Sequence, residues 1–247
     1  MGHFDYSHQA KRWMGDDPKH LSDFLVRTMV LDLFKQGAPY RVAVDLGGGE
    51  GYFSRKMLPF ARKIISVELD KEMIRAALAQ EKDWPFGIEY HHGDVRHMPF
   101  IPDGSVDAAV GNCVTNYLSP DELPQFYSEV HRILVSNGRV LLSMPHPRNI
   151  YTNEFGEATI VENEGFDYEE SRGRWFDAKV KTVQGKTLEV ALCHSRIEDH
   201  LAAIKGSGLK LDGLFEPAVP KWLADRYGIF NGLEGKQPYL ILEGHKR

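Results

Sequence analysis

The chain has 247 residues, of which 42% are hydrophobic and 26% charged, proportions that indicate a globular domain and exclude a disordered, collagenous or coiled-coil chain. The net charge of -5 and a pI of about 6.1 disfavour a nucleic-acid partner, since phosphate binding normally needs a basic face, and favour a small-molecule substrate. Two distant cysteines and the lack of a long apolar stretch argue against a disulfide framework and a membrane span, so we expect a cytoplasmic monomer or homodimer.

The first 38 residues predict a helical cap. Asp17-Pro18 is a plausible helix cap and first helical residue, and Leu21, Phe24 and Leu25 follow at helical spacing.

Short apolar runs then alternate with helical stretches. Strands are predicted at 42–44, 64–67, 88–90, 108–110 and 140–144, with helices at about 52–60 and 71–80. A further helix is announced by Ser119-Pro120-Asp121-Glu122, which contains a capping box, and should stop at Asn137-Gly138. This alternation predicts an α/β, Rossmann-like fold, in which a mostly parallel sheet carries helices on both faces.

The alternation breaks between residues 146 and 194, a segment that we call the lid. It contains a predicted hairpin, 179–183 with 187–193, and a long interruption of this kind is often a binding segment. A second capping box, Ser195 to Glu198, begins the next helix, and strands at 209–215 and 239–242 complete a seven-stranded sheet. We therefore predict one domain over 1–247: a cap (1–38), a cofactor-binding core (39–145), the lid or substrate insertion (146–194) and the completion of the sheet (195–247).

The strongest chemical signal is the run VAVDLGGGEG. Asp45 ends the first strand, and Gly47, Gly49 and Gly51 lead into the next helix, where glycines allow positive φ angles and close approach of a ligand. A dinucleotide site requires glycine at the sixth position of this turn, but Tyr52 stands there, so a dinucleotide-dependent reductase is disfavoured. A tight turn without a ligand is the alternative interpretation.

Two more acidic residues follow the next two strands. Glu68 ends the second strand, where its carboxylate can accept hydrogen bonds from both ribose hydroxyls, and Asp94 follows the third, where it can accept from an adenine amine. Each alone would be an ordinary loop residue, but three acids at three successive strand ends indicate one ligand crevice.

These motifs resemble those of the class I S-adenosylmethionine-dependent methyltransferases, particularly the branch that methylates metabolites. The resemblance is strong over residues 40–144, in VDLGGGEG, VELDKEMIRAA, GDVRHMPFIPDGSVD and EVHRILVSNGRVLLSMPHP, and looser over 195–242. It implies that S-adenosylmethionine is the cofactor and that the seventh strand is antiparallel, between the fifth and sixth. It also implies that Asp45 and the three glycines hold the methionine end, Glu68 the ribose, and Asp94 with Val95 the adenine.

The remaining site residues are placed by their positions after strand ends. Asn112 follows the fourth strand, and we assign it to the cofactor; Tyr117 lies nearby, where the methyl group should be exposed. His146, just after the fifth strand, is the candidate general base, although a histidine between two prolines also fits a structural role. Cys113 is expected to be a packed residue.

In the lid, we expect Arg148, Arg174, Trp175 and Phe176 to cover an acidic or aromatic substrate, although arginines are often only solvated. Tyr6 and Trp13 are expected to close the cofactor site, as in related enzymes. The histidines lack metal-ligand spacing, so no metal is predicted.

The predicted function is transfer of a methyl group to an oxygen or nitrogen of a metabolite. A non-catalytic cofactor-binding protein and an RNA or protein methyltransferase remain as alternatives.

Overall fold

A computed structural model describes residues 17–247 of the chain. Tyr6 and Trp13 lie outside the described residues. The described helices are α1 (Leu21–Phe24), α2 (Val26–Gln36), α3 (Tyr52–Met57), α4 (Lys71–Asp83), α5 (Leu123–Ile133), α6 (Ile197–Ser207) and α7 (Lys221–Arg226). Short 3-10 turns span Leu58–Phe60, Thr115–Tyr117, Asn149–Thr152, Gly156–Ala158 and Gly228–Phe230.

The described strands form two sheets. They are β1 (Tyr40–Leu46), β2 (Ala61–Glu68), β3 (Ile88–His92), β4 (Val106–Asn112), β5 (Leu134–Pro145), β6 (Thr159–Val161), β7 (Trp175–Lys181), β8 (Thr187–Cys193), β9 (Leu209–Phe215) and β10 (Tyr239–Lys246). The larger sheet has the order β3-β2-β1-β4-β5-β10-β9, and the smaller has the order β6-β7-β8. All seven strands predicted for the main sheet are confirmed.

The seventh strand of the main sheet, β10, is antiparallel to both of its neighbours, β5 and β9. An antiparallel strand begins at the edge where its parallel neighbour ends, and Tyr239 accordingly pairs with Pro145. The first residue of β10 therefore lies at the same edge as the carboxyl ends of the parallel strands.

Residues along each parallel strand alternate between the two faces of the main sheet, and each face has its own apolar core. Ala43 on β1 and Ile64 on β2 belong to the core that α2 covers, whereas Val44 and Ile65 belong to the core that α5 covers. Because both faces are buried, these strands read as continuous apolar runs in the sequence. The helices packed on both faces fix the positions of the carboxyl ends of the parallel strands at one edge of the main sheet.

The lid folds into the small antiparallel sheet rather than a single hairpin. The predicted hairpin is present as β7 and β8, and β6 pairs with β7 as a third strand that the sequence pattern did not predict. Tyr151 and Phe166 stack beneath this sheet, with ring centroids 4.3 Å apart, and Phe176 packs edge-on against both.

Three helices have boundaries that differ from the prediction. The first helix begins at Leu21, because Asp23 accepts the backbone N–H groups of Lys19 and His20; the Asp17-Pro18 cap is not used. Glu122 does accept from Ser119, but α5 begins only afterwards, and it ends at Ile133, before Asn137-Gly138. Asn137 instead has a φ of 62° within β5, where the register against β4 shifts.

The third of these helices is α6, which differs at its start. The capping carboxylate is Asp199, which accepts the N–H of Arg196 at 3.0 Å, and the Ser195–Glu198 box is not formed. None of the described helices is long and apolar enough to cross a membrane.

Candidate functional site

A cavity of about 780 Å³ opens between the carboxyl ends of the parallel strands and the lid sheet. The fold brings eight of the predicted site residues to its wall, from six different elements and loops. They are Gly47, Gly49, Glu68, Asp94, Val95, Asn112, Tyr117 and Trp175. Six of the eight residues predicted to bind the cofactor thus line one cavity.

The glycine loop adopts backbone angles that other residues rarely take. Gly47, Gly49 and Gly51 have φ angles of 70°, 59° and 89°. No atom lies within 4 Å of the position that a Cβ of Gly49 would occupy, so the loop presents bare backbone to the cavity there. A ligand can approach this backbone without meeting a side chain.

Asp45 and Gly51 lie behind the loop and do not line the cavity. The buried carboxylate of Asp45 accepts a hydrogen bond of 2.6 Å from the hydroxyl of Ser54 on α3, and burial raises the pKa of Asp45 to about 6. A Cβ on Gly51 would lie 2.3 Å from the Tyr90 hydroxyl. Both residues therefore shape the turn from its far side.

Glu68 connects the glycine loop to the loop after β2. Its Oε2 accepts from the N–H of Gly49 at 2.9 Å, and its Oε1 accepts from the N–H of Asp70 at 2.8 Å. Burial raises the pKa of Glu68, an effect that these two backbone hydrogen bonds oppose. Asp70 in turn caps α4, so the carboxylate of Glu68 is fixed by two rigid elements.

Asp94 is held by its own loop. Arg96 bonds both carboxylate oxygens of Asp94 and also contacts Glu122 at the start of α5. Burial alone would raise the pKa of Asp94, but the hydrogen bonds and charge of Arg96 bring it below its usual value. Asp94 therefore stays ionised and oriented beside Val95 at one end of the cavity.

Two buried amides line the middle of the cavity. Asn112 Oδ1 accepts from the Ser143 hydroxyl at 2.9 Å, whereas Asn112 Nδ2 and Asn116 Oδ1 have no hydrogen-bond partner among the described residues. Buried polar atoms are nearly always paired in folded proteins, so unpaired ones beside a cavity indicate a ligand-binding role. Cys113 lies between them, and burial raises the pKa of its thiol to about 11, so the thiol stays protonated.

His146, the candidate general base, lies outside the cavity lining and has local partners. Its Nδ1 faces the backbone N–H groups of Arg148 and Asn149 at 3.2 and 3.1 Å, and its Nε2 lies 2.8 Å from Glu216 Oε1. Both ring nitrogens are thus occupied, and the buried ring does not line the cavity. His146 fixes the turn after β5.

Of the four predicted lid residues, only Trp175 lines the cavity. Phe176, the adjacent residue on the strand, is buried in the lid core, where it packs against Tyr151. Arg174 donates to the backbone oxygens of Glu164 and Gly165, and Arg148 stacks on the Tyr168 ring at 4.1 Å. These three residues do not line the cavity, because packing in the lid and local pairing hold them elsewhere, and their substrate role stays a prediction.

Sequence reasoning missed a wall of the cavity made by the first helices and β10. It consists of His20, Ser22, Arg27 and Tyr239. Arg27 Nη1 donates to Asp23 at 2.6 Å, and this is its one hydrogen bond within residues 17–247. A signal for Arg27 was present in the sequence, because it lies three and seven residues before the buried Val30 and Phe34, on the apolar face of α2.

Comparison with known proteins agrees with this geometry. Residues 44–142 match a family model described as a methyltransferase domain. A probable S-adenosylmethionine-dependent methyltransferase of Mycolicibacterium smegmatis is 29% identical over 160 residues, covering 59% of this chain and 60% of the relative. A malonyl-[acyl-carrier protein] O-methyltransferase of Hamiltonella defensa is 29% identical over 100 residues, covering 40% of this chain and 36% of the relative. The chain thus spans 60% or less of the length of both relatives.

Solved structures share the fold over a longer part of the chain. An S-adenosylmethionine-dependent methyltransferase from Mesorhizobium loti has a TM-score of 0.66 at 19% identity, covering 88% of this chain and 96% of that one. A geranyl diphosphate C-methyltransferase from Streptomyces coelicolor, crystallised with Mg²⁺, geranyl diphosphate and S-adenosyl-L-homocysteine, has a TM-score of 0.61 at 17% identity, covering 90% and 78%. The fold is therefore that of the class I S-adenosylmethionine-dependent methyltransferases, and residues 44–142 match a methyltransferase domain within it.

Proposed function

We propose that the protein transfers a methyl group from S-adenosylmethionine to an oxygen or nitrogen of a small molecule. The observation that carries this proposal is the single cavity in which Gly49, Glu68 and Asp94 line one side and the lid lines the other. The printed names of similar proteins include an O-methyltransferase and a C-methyltransferase, so the accepting atom has to be read from the product.

The cavity wall fits the three parts of the cofactor in order. The open backbone at Gly49 and the guanidinium of Arg27 suit the amino-acid end, where a carboxylate can pair with arginine. Glu68, fixed by two backbone hydrogen bonds, suits the ribose hydroxyls, and Asp94 with Val95 suits the adenine edge. Asp45 and Gly51 contribute indirectly, by shaping the loop.

When bound, S-adenosylmethionine supplies a methyl group on a positively charged sulfur. The chain's own residues position the two reactants, and such positioning is worth roughly 7–11 kcal/mol of the barrier. Asn112, Asn116 and Tyr117 lie where cofactor and acceptor halves meet, and Trp175 covers them from the lid. Exclusion of water by the lid strengthens the electrostatic interactions inside.

Calorimetry with S-adenosylmethionine tests the cofactor assignment. We expect Glu68→Ala to weaken binding at least tenfold, because the ribose hydroxyls lose a charged acceptor worth about 1.5–3 kcal/mol. The control is Glu89→Ala, on the exposed side of β3, which should leave the affinity unchanged. Unchanged affinity in Glu68→Ala would contradict the ribose role, and no binding to the natural chain at millimolar ligand would overturn the proposal.

Turnover separates an enzyme from a binding protein with the same cavity. The chain is incubated with cofactor carrying a labelled methyl group and a metabolite extract, and the labelled product is identified by mass spectrometry. We expect one labelled small molecule with the methyl group on oxygen or nitrogen. Label found only in RNA or protein, or on carbon, would contradict the proposal.

A further inference from the structure

The cavity is divided by charge. The charged residues that line it follow β2 or β3, stand at the start of α5, or belong to α2: Glu68, Asp70, Lys71, Glu72, Asp94, Arg96, Glu122 and Arg27. All but Arg27 surround the ribose and adenine positions, and Arg27 is ion-paired with Asp23 at the amino-acid end. Arg27 also shares its wall with His20, Ser22 and Tyr239, but its charge is paired there with that of Asp23; the other charges of the described wall belong to the cofactor half.

The other half has an apolar wall made by the lid. Val180 on β7 and Val190 and Leu192 on β8 turn their side chains to the cavity, and Ile150 adds to them from the turn after β5. Val190 and Leu192 are two residues apart, so they share one face of the strand. A ligand with apolar groups is stabilised here, because its contact with water is replaced by contact with these side chains.

Opposite this wall runs a row of uncharged hydrogen-bonding groups. Ser22 Oγ lies 2.7 Å from His20 Nδ1, and Tyr239 also hydrogen-bonds to Ser22. Burial lowers the pKa of His20 to about 4, so its ring is neutral at pH 7. Such a row can bond a hydroxyl group, but it does not offset the loss of hydration of a full ionic charge.

We propose that the methyl acceptor is an uncharged, largely apolar hydroxyl compound whose body lies on Val180, Val190 and Leu192. This inference rests on the proposed methyltransferase function. In the reaction, the acceptor oxygen forms a bond to the methyl carbon as the sulfur–methyl bond breaks, and the hydroxyl proton is released to the solvent. An acceptor with a carboxylate or phosphate in this half would bury that charge against apolar side chains.

A matched pair of probes tests this inference: 4-propylphenol, and 3-(4-hydroxyphenyl)propanoate, which has the same ring and chain length but carries a charge at pH 7. Calorimetry first measures S-adenosyl-L-homocysteine binding to the full chain, then the Kd of each probe for the saturated complex. We expect 4-propylphenol to bind at least tenfold more tightly. Equal or tighter binding of the carboxylate, or no binding of 4-propylphenol at millimolar concentration, overturns the inference. Failure of S-adenosyl-L-homocysteine itself to bind overturns the proposed function instead.

A substitution on the lid tests whether its apolar wall causes the preference for 4-propylphenol over the carboxylate probe. Val190→Lys places a cation on this wall and should reduce the preference for 4-propylphenol at least tenfold without changing S-adenosyl-L-homocysteine affinity. Glu189→Lys, the adjacent and exposed position on the other face of β8, is the matched control and should keep the preference. Val180→Lys, at a half-buried position, repeats the test if Val190→Lys does not fold. An unchanged preference in a folded variant overturns the inference.

Discussion

At the residue scale, the same positive φ angle serves different purposes along the chain. Gly49 faces the open cavity, whereas Gly51 is packed against the Tyr90 hydroxyl, and Gly87 lies in an open turn before β3. The backbone requirement is common to all three positions, but the consequence of adding a side chain depends on what lies beside each.

Gly49→Ala and Gly87→Ala separate these two effects. Both force a side chain into the left-handed region, which costs about 1–2 kcal/mol of stability. Only Gly49→Ala places a methyl group in the cavity, so we expect it alone to weaken S-adenosyl-L-homocysteine binding, at least tenfold. Calorimetry and urea unfolding measure the two quantities, and equal affinity in the two variants would contradict the placement of the ligand on this backbone.

Asp45 makes stability depend on pH. Its pKa is about 6 in the folded chain because of burial, against an ordinary value of 3.8 for an aspartate, so between pH 4 and 6 the folded chain holds a proton that the unfolded chain releases. The contribution of Asp45 is therefore largest below pH 4 and falls as the pH rises through 6, by a total on the order of 3 kcal/mol.

Asp45→Asn removes this dependence while keeping an acceptor for Ser54. We expect the free energy of unfolding of the variant, relative to the natural chain, to rise between pH 4 and 6 and then level off. Asp32→Asn, at an exposed position on α2, serves as the control in the same urea titrations. A relative stability that stays flat or falls across this range would contradict the burial effect.

At the element scale, sequence patterns located the elements but not their ends. Strand positions followed from apolar runs, and the lid hairpin from alternation, because these depend on burial of many side chains. The start of α6 depended instead on one hydrogen bond, from Arg196 to Asp199 rather than to Ser195 or Glu198. Likewise, the position of His146 outside the cavity could not be predicted, because its contact with Glu216 depends on the packing of segments distant in the sequence.

Replacing the capping residue of α6 tests this boundary. Asp199→Ala loses the cap and the ion pairs with Arg196 and Arg172, and we expect a cost of about 1–2 kcal/mol. Glu198→Ala, which removes only the acceptor for the Tyr168 hydroxyl, should cost less. Denaturant unfolding measures the loss of stability in both variants. A larger loss in Glu198→Ala than in Asp199→Ala would support the capping box expected from the sequence instead.

The same cap has a pH signature. Burial would raise the pKa of Asp199, but hydrogen bonds from Arg196 and Arg172 hold it at about 2. The stabilisation by Asp199 is therefore present above pH 4 and is lost as the pH falls toward 2. The difference in free energy of unfolding between Asp199→Ala and Glu198→Ala should narrow over this range.

At the scale of the whole molecule, two sheets meet over one cavity, and the sequence predicted only the first of them in full. The main sheet could be predicted because its strands are apolar runs and its glycine loop has a recognisable spacing. The third lid strand could not be predicted, because its 3 residues are too few to show a pattern. The wall made by Ser22, Arg27 and Tyr239 could not be predicted either, because it depends on contacts between segments about 200 residues apart in the chain.

Ligand binding should stabilise this whole assembly. At 100 times its Kd, S-adenosyl-L-homocysteine adds about 2.7 kcal/mol, which corresponds to a rise of roughly 5 to 10 °C in Tm for a chain of this size. Glu68→Ala should show a smaller rise at the same concentration, and NADH should show none. An equal rise with NADH would point back to a dinucleotide site.

The reversed direction of β10 has a practical consequence for handling the protein. The strand starts at Tyr239, beside the cavity, and its eight residues carry the chain about 26 Å toward the opposite edge of the sheet. A fluorophore or surface tether attached after Lys246 would therefore emerge far from the entrance. A molecule immobilised in this way keeps the entrance of the cavity exposed to the solution. Binding of S-adenosyl-L-homocysteine and of the methyl acceptor can then be measured in a flow cell.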